Sequence, residues 1–214
     1  DGGAHIFRAC NDAAGLGQVG HDDIDCMVRS PTLERSCLYR YLEDGAAGLL
    51  IPLVPDEHVA RHVVEATKFP PLGNRGIDGA SLDGDYTISA WKPGGDYFED
   101  ANRQTFVIIQ IETMQAVSNI DQIAAIDGVD ALFIGPADLQ RRLSFADVSN
   151  KTTFDEIVAK VAEATKRHGK AWGITAGSLE DLARYRQMGA QLVPWSGDFS
   201  LVNVLNQSRD DLDR

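Results

Sequence analysis

Two apolar stretches of the sequence each run into an acidic residue. "FVIIQIET" (106–113) contains Glu112, and "FIGPADL" (133–139) contains Asp138. Both apolar runs have the length of buried strands. Two carboxylates in one partly buried pocket repel each other unless a proton or a cation lies between them. A hard divalent ion held by few protein ligands and several waters suits such a pair, so the sequence predicts a Mg²⁺ or Mn²⁺ site at Glu112 and Asp138. Helix capping by either acid is the alternative explanation.

Other polar groups are expected beside these acids. Gln110 precedes Glu112 by two residues, so both side chains face the same side of a strand, and Arg29 ends an earlier apolar run. Gly135-Pro136 predicts a tight turn, after which the amides of Ala137 and Asp138 are expected to face a substrate carboxylate. No lysine ends a predicted strand, which favours metal chemistry over a Schiff base.

Strand-length apolar runs alternate with helical patterns along most of the chain. The predicted strands are 25–30, 48–54, 105–112, 130–136, 170–176 and 190–197. The predicted helices are 32–45, 55–69, 114–128, 152–169, 178–189 and about 198–212. Strands that are apolar on both faces and separated by helices indicate a parallel sheet covered by helices.

This alternation predicts an α/β fold of the TIM (β/α)₈ barrel type. The pattern contains six strand–helix units, whereas the barrel has eight strands over typically ~250 residues. An open doubly wound sheet is disfavoured because no G-x-G-x-x-G follows the first strand. We therefore expect one barrel domain over 1–214 that lacks its first strand–helix unit and part of its second strand. The segment 70–104 is a long Gly- and Asp-rich loop insertion, typical of a lid or a subunit contact.

Composition restricts the partners. The formal net charge of −12 argues against nucleic acid or an anionic membrane surface. No apolar run approaches the ~20 residues that span a bilayer. The chain has 3 cysteines and no C-x-x-C pair, which favours reduced thiols in the cytoplasm.

Several motifs together resemble one enzyme family. "VRSP", "LEDGAAGLLIPLV", "ATKFPPLGNRG", "VIIQIET", "GVDALFIGPADL" and "GKAWGI" occur in this order. The resemblance is to the HpcH/HpaI aldolase family, also called 2,4-dihydroxyhept-2-ene-1,7-dioate aldolase or citrate lyase β-like, and extends from about Cys26 to Val204. It implies a phosphoenolpyruvate/pyruvate-binding type of barrel and a divalent ion (Mg²⁺, Mn²⁺ or Co²⁺). It also implies a metal-dependent aldolase that cleaves a 4-hydroxy-2-oxo acid to pyruvate and an aldehyde through a pyruvate enolate.

The resemblance also implies roles for individual residues. Glu112 and Asp138 match the metal-binding acids, and Arg29 matches the arginine that contacts the pyruvate oxygen. Gln110 matches a glutamine beside the substrate, and Ala137 matches the residue whose amide meets the pyruvate carboxylate. A homo-oligomer, usually a hexamer, is implied as well, with the last helix packing on a neighbour. The loop 70–104 and the segment 194–198 are expected to shape the aldehyde pocket.

The general base is where the sequence departs from the family pattern. The family has a histidine in an Asp-x-Glu-His motif, whereas this chain begins "DGGAH". His5 lies one residue late for that position, and Glu43 in "LEDG", or alternatively Asp44, matches the acid that pairs with the histidine. We therefore expect His5 and Glu43 to form the base only if the loop shifts by one residue. Two alternatives stay open: a decarboxylase or related lyase acting on an oxaloacetate-like keto acid, and a catalytically impaired relative.

Overall fold

A parallel sheet forms the centre of the protein. The computed structural model describes residues 7–10 and 25–212 except 89, 146–151, 196 and 198, with the backbone alone for 7–10 and 199. The strands of this sheet are β1 (Phe7–Cys10), β2 (Asp25–Arg29), β3 (Gly48–Ile51), β4 (Phe106–Ile111), β5 (Ala131–Ile134) and β6 (Ala171–Ile174). Each strand pairs in parallel with the next one in the chain, so the sheet order is the sequence order.

Helices follow the strands. They are α1 (Arg35–Glu43), α2 (Glu57–Thr67), α3 (Tyr97–Gln104), α4 (Met114–Ser118), α5 (Ile120–Ala124), α6 (Pro136–Leu143), α7 (Phe154–His168), α8 (Leu179–Gln187) and α9 (Phe199–Leu212). Side chains cap several of them, as at α7, where Thr153 and Glu156 form a reciprocal capping box. The predicted helix 152–169 is therefore confirmed, and this capping box defines where it begins.

The two faces of the sheet bury different apolar clusters. Alternate residues of β4 point to opposite sides, so Ile109 and Ile111 pack under the helices while Ile108 joins a smaller cluster on the other face. That smaller cluster consists of Met27, Leu50, Ile108, Ala131 and Phe133. Consecutive parallel strands with helices outside and apolar side chains inside form the wall of a (β/α)₈ barrel, which confirms the predicted fold class. By the same alternation Gln110 and Glu112 lie on the inner face.

Several local expectations need correction. The predicted helix 114–128 is two short helices that meet at Asn119. The predicted strand 190–197 appears as isolated parallel bridges, Gly173 with Leu192 and Ala176 with Trp195. Strand β1 was not predicted. The expected absence of a first strand–helix unit concerns sequence outside the described residues and stays a prediction.

The segment 70–104 is structured rather than a plain loop. It contains a 3₁₀ helix (Leu82–Thr87) and α3. Together with Asp25 and the residues just before β3, it lines a cavity of about 650 Å³. These residues belong to the amino ends of the strands. Within one chain, this segment therefore lies away from the carboxyl ends, where the aldehyde pocket was expected.

The cysteines also differ from expectation. Cys26 takes part in a disulfide, whereas Cys37 is a free thiol. The expectation of reduced cysteines throughout is therefore wrong. Within the part of the chain that the structure describes, no helix is both long and apolar enough to cross a membrane.

Candidate active site at the carboxyl edge of the sheet

The predicted polar residues of β2 and β4 are connected by hydrogen bonds at the carboxyl edge of the sheet. Arg29 Nε donates to Gln110 Oε1 over 3.2 Å, and Gln110 Nε2 donates to Glu112 Oε2 over 2.6 Å. Parallel strands place their carboxyl ends at one edge, which is why residues 81 positions apart meet here. The prediction that Gln110 and Glu112 share a face of the strand is confirmed by their direct contact.

Glu112 is a buried carboxylate with a constrained orientation. It is 1% exposed, and its Oε1 accepts a hydrogen bond from the Leu53 amide over 2.7 Å. Burial raises the pKa of Glu112, with a smaller contribution from the negative charge of Asp138, while the Leu53 amide and the charges of Arg29 and Arg142 act in the opposite direction. A carboxyl group in this position gains from a nearby cation because the cation stabilises its charged form.

Leu53 is a site residue that the sequence did not indicate. Its φ is 56°, in the left-handed region that side chains with a Cβ adopt only rarely. This backbone conformation accompanies the hydrogen bond from its amide to Glu112. Its side chain is 55% exposed. No residue-type signal predicts a leucine in this conformation, so the contact was not accessible from the sequence.

Asp138 lies in the first turn of α6, next to the end of β4. Its side chain is 52% exposed, and its Oδ1 is 3.9 Å from Arg142 Nη2. Arg142 Nε also donates to the Glu112 carbonyl oxygen over 2.9 Å. Neither Arg142 nor the helix α6 on which it lies was predicted from the sequence; the spacing of four residues after Asp138 is informative only once this helix is known.

Gly135 is required by the close approach of the site residues. A Cβ at this position would lie 2.7 Å from Gln110 Nε2, 2.9 Å from Glu112 Cβ and 3.0 Å from Glu112 Oε2. Only a glycine leaves room for both side chains above the turn. Pro136 and Ala137 then begin α6, whose first amides have no intrahelical acceptor. The Ala137 amide therefore lies in a first helical turn, where backbone amides can bind an anionic group, and its contact with a substrate carboxylate stays a prediction.

Glu43 lies at the opposite edge. It ends α1, a helix that runs back from the carboxyl end of β2 to the amino end of β3. It is 5% exposed, and burial raises its pKa while the nearby charge of Arg75 lowers it. Within one chain Glu43 therefore lies away from Glu112 and Asp138. His5 lies outside the described residues, so the predicted pair stays untested.

The donor set fits a hard divalent cation with a partly aqueous shell. Glu112 and Asp138 supply carboxylate oxygens, the ligands that Mg²⁺ and Mn²⁺ prefer. In the described part of the chain, no group of three or more His, Cys, Asp or Glu side chains could hold a metal ion. A site made by these acids would therefore leave most coordination positions to water or substrate oxygens, as is usual for Mg²⁺.

Comparison with known proteins places this site in a family context. Residues 14–203 match the model of the HpcH/HpaI aldolase/citrate lyase family. The chain is 34% identical over 176 residues to a hydroxypyruvate/pyruvate aldolase of Delftia acidovorans, covering 82% of this chain and 64% of that protein. It is 32% identical over 185 residues to a 5-keto-4-deoxy-D-glucarate aldolase of Enterobacter sp., covering 86% and 70% respectively.

Solved structures agree in fold. An HpcH/HpaI aldolase/citrate lyase family protein of Burkholderia cenocepacia superimposes with a TM-score of 0.83 at 30% identity, covering 97% of this chain and 86% of that chain. An HpcH/HpaI aldolase of Desulfitobacterium hafniense gives a TM-score of 0.81 at 28% identity, covering 97% and 82%.

Proposed function

The chain belongs to the HpcH/HpaI aldolase/citrate lyase family, and from this premise we propose that it is a metal-dependent aldolase. The reaction is cleavage of a 4-hydroxy-2-oxo acid to pyruvate and an aldehyde. The single observation that supports it most is the chain of hydrogen bonds from Arg29 through Gln110 to the buried Glu112. This arrangement keeps the guanidinium group of Arg29 and the carboxylate of Glu112 close together at the carboxyl edge of the sheet.

The chemistry assigns a task to each group. A divalent ion held by Glu112 and Asp138 would act as a Lewis acid on the C2 carbonyl. Cleavage removes the proton of the 4-hydroxyl, breaks the C3–C4 bond and moves that electron pair toward the C2 oxygen, giving the enolate and the aldehyde. Arg29 donates to the oxygen where negative charge develops. The Ala137 amide holds the pyruvate carboxylate, and protonation of C3 completes the reaction.

The proposed proton acceptor is a histidine paired with a carboxylate. His5 with Glu43 remains the predicted base, His5 outside the described residues and Glu43 at the other edge of the same chain. If both act in one site, a second copy of the chain would have to contribute one of them. This is consistent with the proposed homo-oligomer. We also propose a cytoplasmic location for the protein.

Exposed apolar residues on the last helix support an oligomer. On α9, Leu201, Val202, Val204 and Leu205 are each between 54% and 69% exposed. Contiguous apolar surface of this kind is typical of a protein–protein contact. The number of subunits is proposed as six on the family resemblance alone.

Proton exchange into pyruvate tests the proposal directly. In D₂O with Mn²⁺ or Mg²⁺, the protein is expected to exchange the methyl protons of pyruvate, observed by ¹H NMR, because enolate formation is the shared step of cleavage and condensation. Glu112→Gln is expected to lower the exchange rate by about two orders of magnitude or more, in the range for loss of a group that stabilises developing charge. The matched control is Glu163→Gln, at an exposed position on α7.

The outcomes separate the alternatives. Absence of exchange in the parent, with Glu112→Gln behaving like the parent, would identify a catalytically impaired relative. Exchange without cleavage of any 4-hydroxy-2-oxo acid, but with release of CO₂ from oxaloacetate, would favour the decarboxylase alternative.

A further inference from the structure

Arg142 contacts both segments that supply the acids. It lies on α6, and its Nε donates to the main-chain oxygen of Glu112 over 2.9 Å. Its Nη2 lies 3.9 Å from Asp138 Oδ1. One guanidinium group therefore connects the end of β4 with the first turn of the helix that follows β5.

We propose that Arg142 is a positioning residue that holds Asp138 beside Glu112, so that the two carboxylates can bind one divalent cation. This inference rests on the metal-dependent function proposed above. Arg142 is given no contact with the substrate or the metal itself. Its effect is exerted through the orientation of Asp138.

The shape of the guanidinium group explains why an arginine suits this task. Its nitrogens are held in one plane, so a hydrogen bond at Nε also fixes the direction in which Nη2 points. Asp138 is half-exposed and would otherwise sample several rotamers. Groups that orient a metal ligand from behind commonly change metal affinity 10- to 100-fold when removed.

The positive charge of Arg142 has an opposing effect. A guanidinium group close to the acids repels an incoming cation, so its removal alone would strengthen metal binding. Positioning and charge repulsion therefore predict opposite changes in affinity. The sign of the change decides between them.

Arg141 provides a matched control. It precedes Arg142 on the same helix and carries the same charge, but its guanidinium group lies over the ring of Phe145 at 4.4 Å from the centroid. A variant at this position changes the net charge of α6 equally and leaves the contacts to Glu112 and Asp138 in place.

The experiment measures Mn²⁺ binding to the metal-stripped protein by calorimetry or electron paramagnetic resonance, with melting temperature as a second measurement. Arg142→Met is expected to weaken Mn²⁺ binding about 10-fold. Arg142→Lys keeps the charge but not the planar fork, and is expected to show most of the same loss. Arg141→Met is expected to stay within about twofold of the parent, because an exposed charge contributes little.

Each contrary result has a distinct meaning. Unchanged or tighter binding by Arg142→Met, or full affinity in Arg142→Lys, would overturn the positioning role. A lower melting temperature with unchanged Mn²⁺ affinity would also overturn it, because Arg142 would then only stabilise the fold. A parent protein that binds no Mn²⁺ would instead refute the proposed function together with this inference.

Discussion

Adding one methyl group at Gly135 is a selective test of the site geometry. In Gly135→Ala the new Cβ would meet Gln110 Nε2 at 2.7 Å, and Glu112 at 2.9 Å (Cβ) and 3.0 Å (Oε2). The φ of Gly135 is −88°, a value that alanine adopts freely, so the perturbation is steric and not conformational. Either the hydrogen bonds of Gln110 break or β4 and α6 move apart.

The expected cost follows from these contacts. Inserting a methyl group into a closely packed position destabilises by about 1–3 kcal/mol. For a chain of this size each kcal/mol lowers the melting temperature by about 2–4 °C, so a decrease of about 2–12 °C is expected. Alanine is also a poorer helix N-cap than glycine, which acts in the same direction. Because Glu112 must shift, Mn²⁺ affinity is expected to fall as well.

The assay is a calorimetric melting scan combined with Mn²⁺ titration. Gly76→Ala is the control, because a Cβ there would meet nothing within 4 Å. If Gly135→Ala melts like the parent and binds Mn²⁺ equally well, then Glu112 and Gln110 do not approach this turn as described, and the site geometry is wrong.

Two further predictions concern buried charges. Burial raises the pKa of Glu112 above its ordinary value of 4.5, so the metal-free folded state binds more protons than the unfolded state from about that pH up to its folded pKa. The free energy of unfolding is therefore expected to fall as pH rises through that window. Glu112→Gln should make this pH dependence weaker, as measured by urea titrations with a chelator present. An unchanged pH dependence would contradict the effect of burial on Glu112. Lys68 Nζ is buried, donates to the main-chain oxygens of Asn102 and Thr105 and lies 3.6 Å from Asp130 Oδ2. Lys68→Met is expected to lower the melting temperature by roughly 4–24 °C, because it leaves two main-chain oxygens unpaired at about 1–3 kcal/mol each and each kcal/mol lowers the melting temperature by about 2–4 °C. The Mn²⁺ affinity is expected to stay unchanged, because Lys68 lies at the amino edge. Lys160→Met is the exposed control, and loss of affinity with Lys68→Met would show that the two edges are coupled.

The sequence predicted those parts of the site that depend on local geometry. The period of two along a strand was enough to place Gln110 and Glu112 on one face. The Gly-Pro pair predicted a turn just before Ala137 and Asp138, and the structure adds that this turn opens helix α6. Parallel pairing of neighbouring strands then brought Arg29 to the same edge.

The parts that the sequence did not predict depend on tertiary contacts. The left-handed backbone of Leu53 has no residue-type signal, and the contact of Arg142 with the Glu112 carbonyl depends on a rotamer chosen by packing. The location of Glu43 was available from the direction of α1, since a helix returning from one strand to the next ends at the amino edge.

The neutral amide of Gln110 separates the positive charge of Arg29 from the negative charge of Glu112. An arginine can only donate hydrogen bonds and an ionised glutamate can only accept them, so a neutral amide between them must turn its oxygen to Arg29 and its nitrogen to Glu112. The amide therefore hydrogen-bonds to both charged side chains and prevents them from forming a direct ion pair with each other. Arg29 therefore keeps free donors for an incoming anion, and Glu112 keeps its affinity for a cation. A carboxylate at position 110 would remove this separation, because it would pair with Arg29 and repel Glu112.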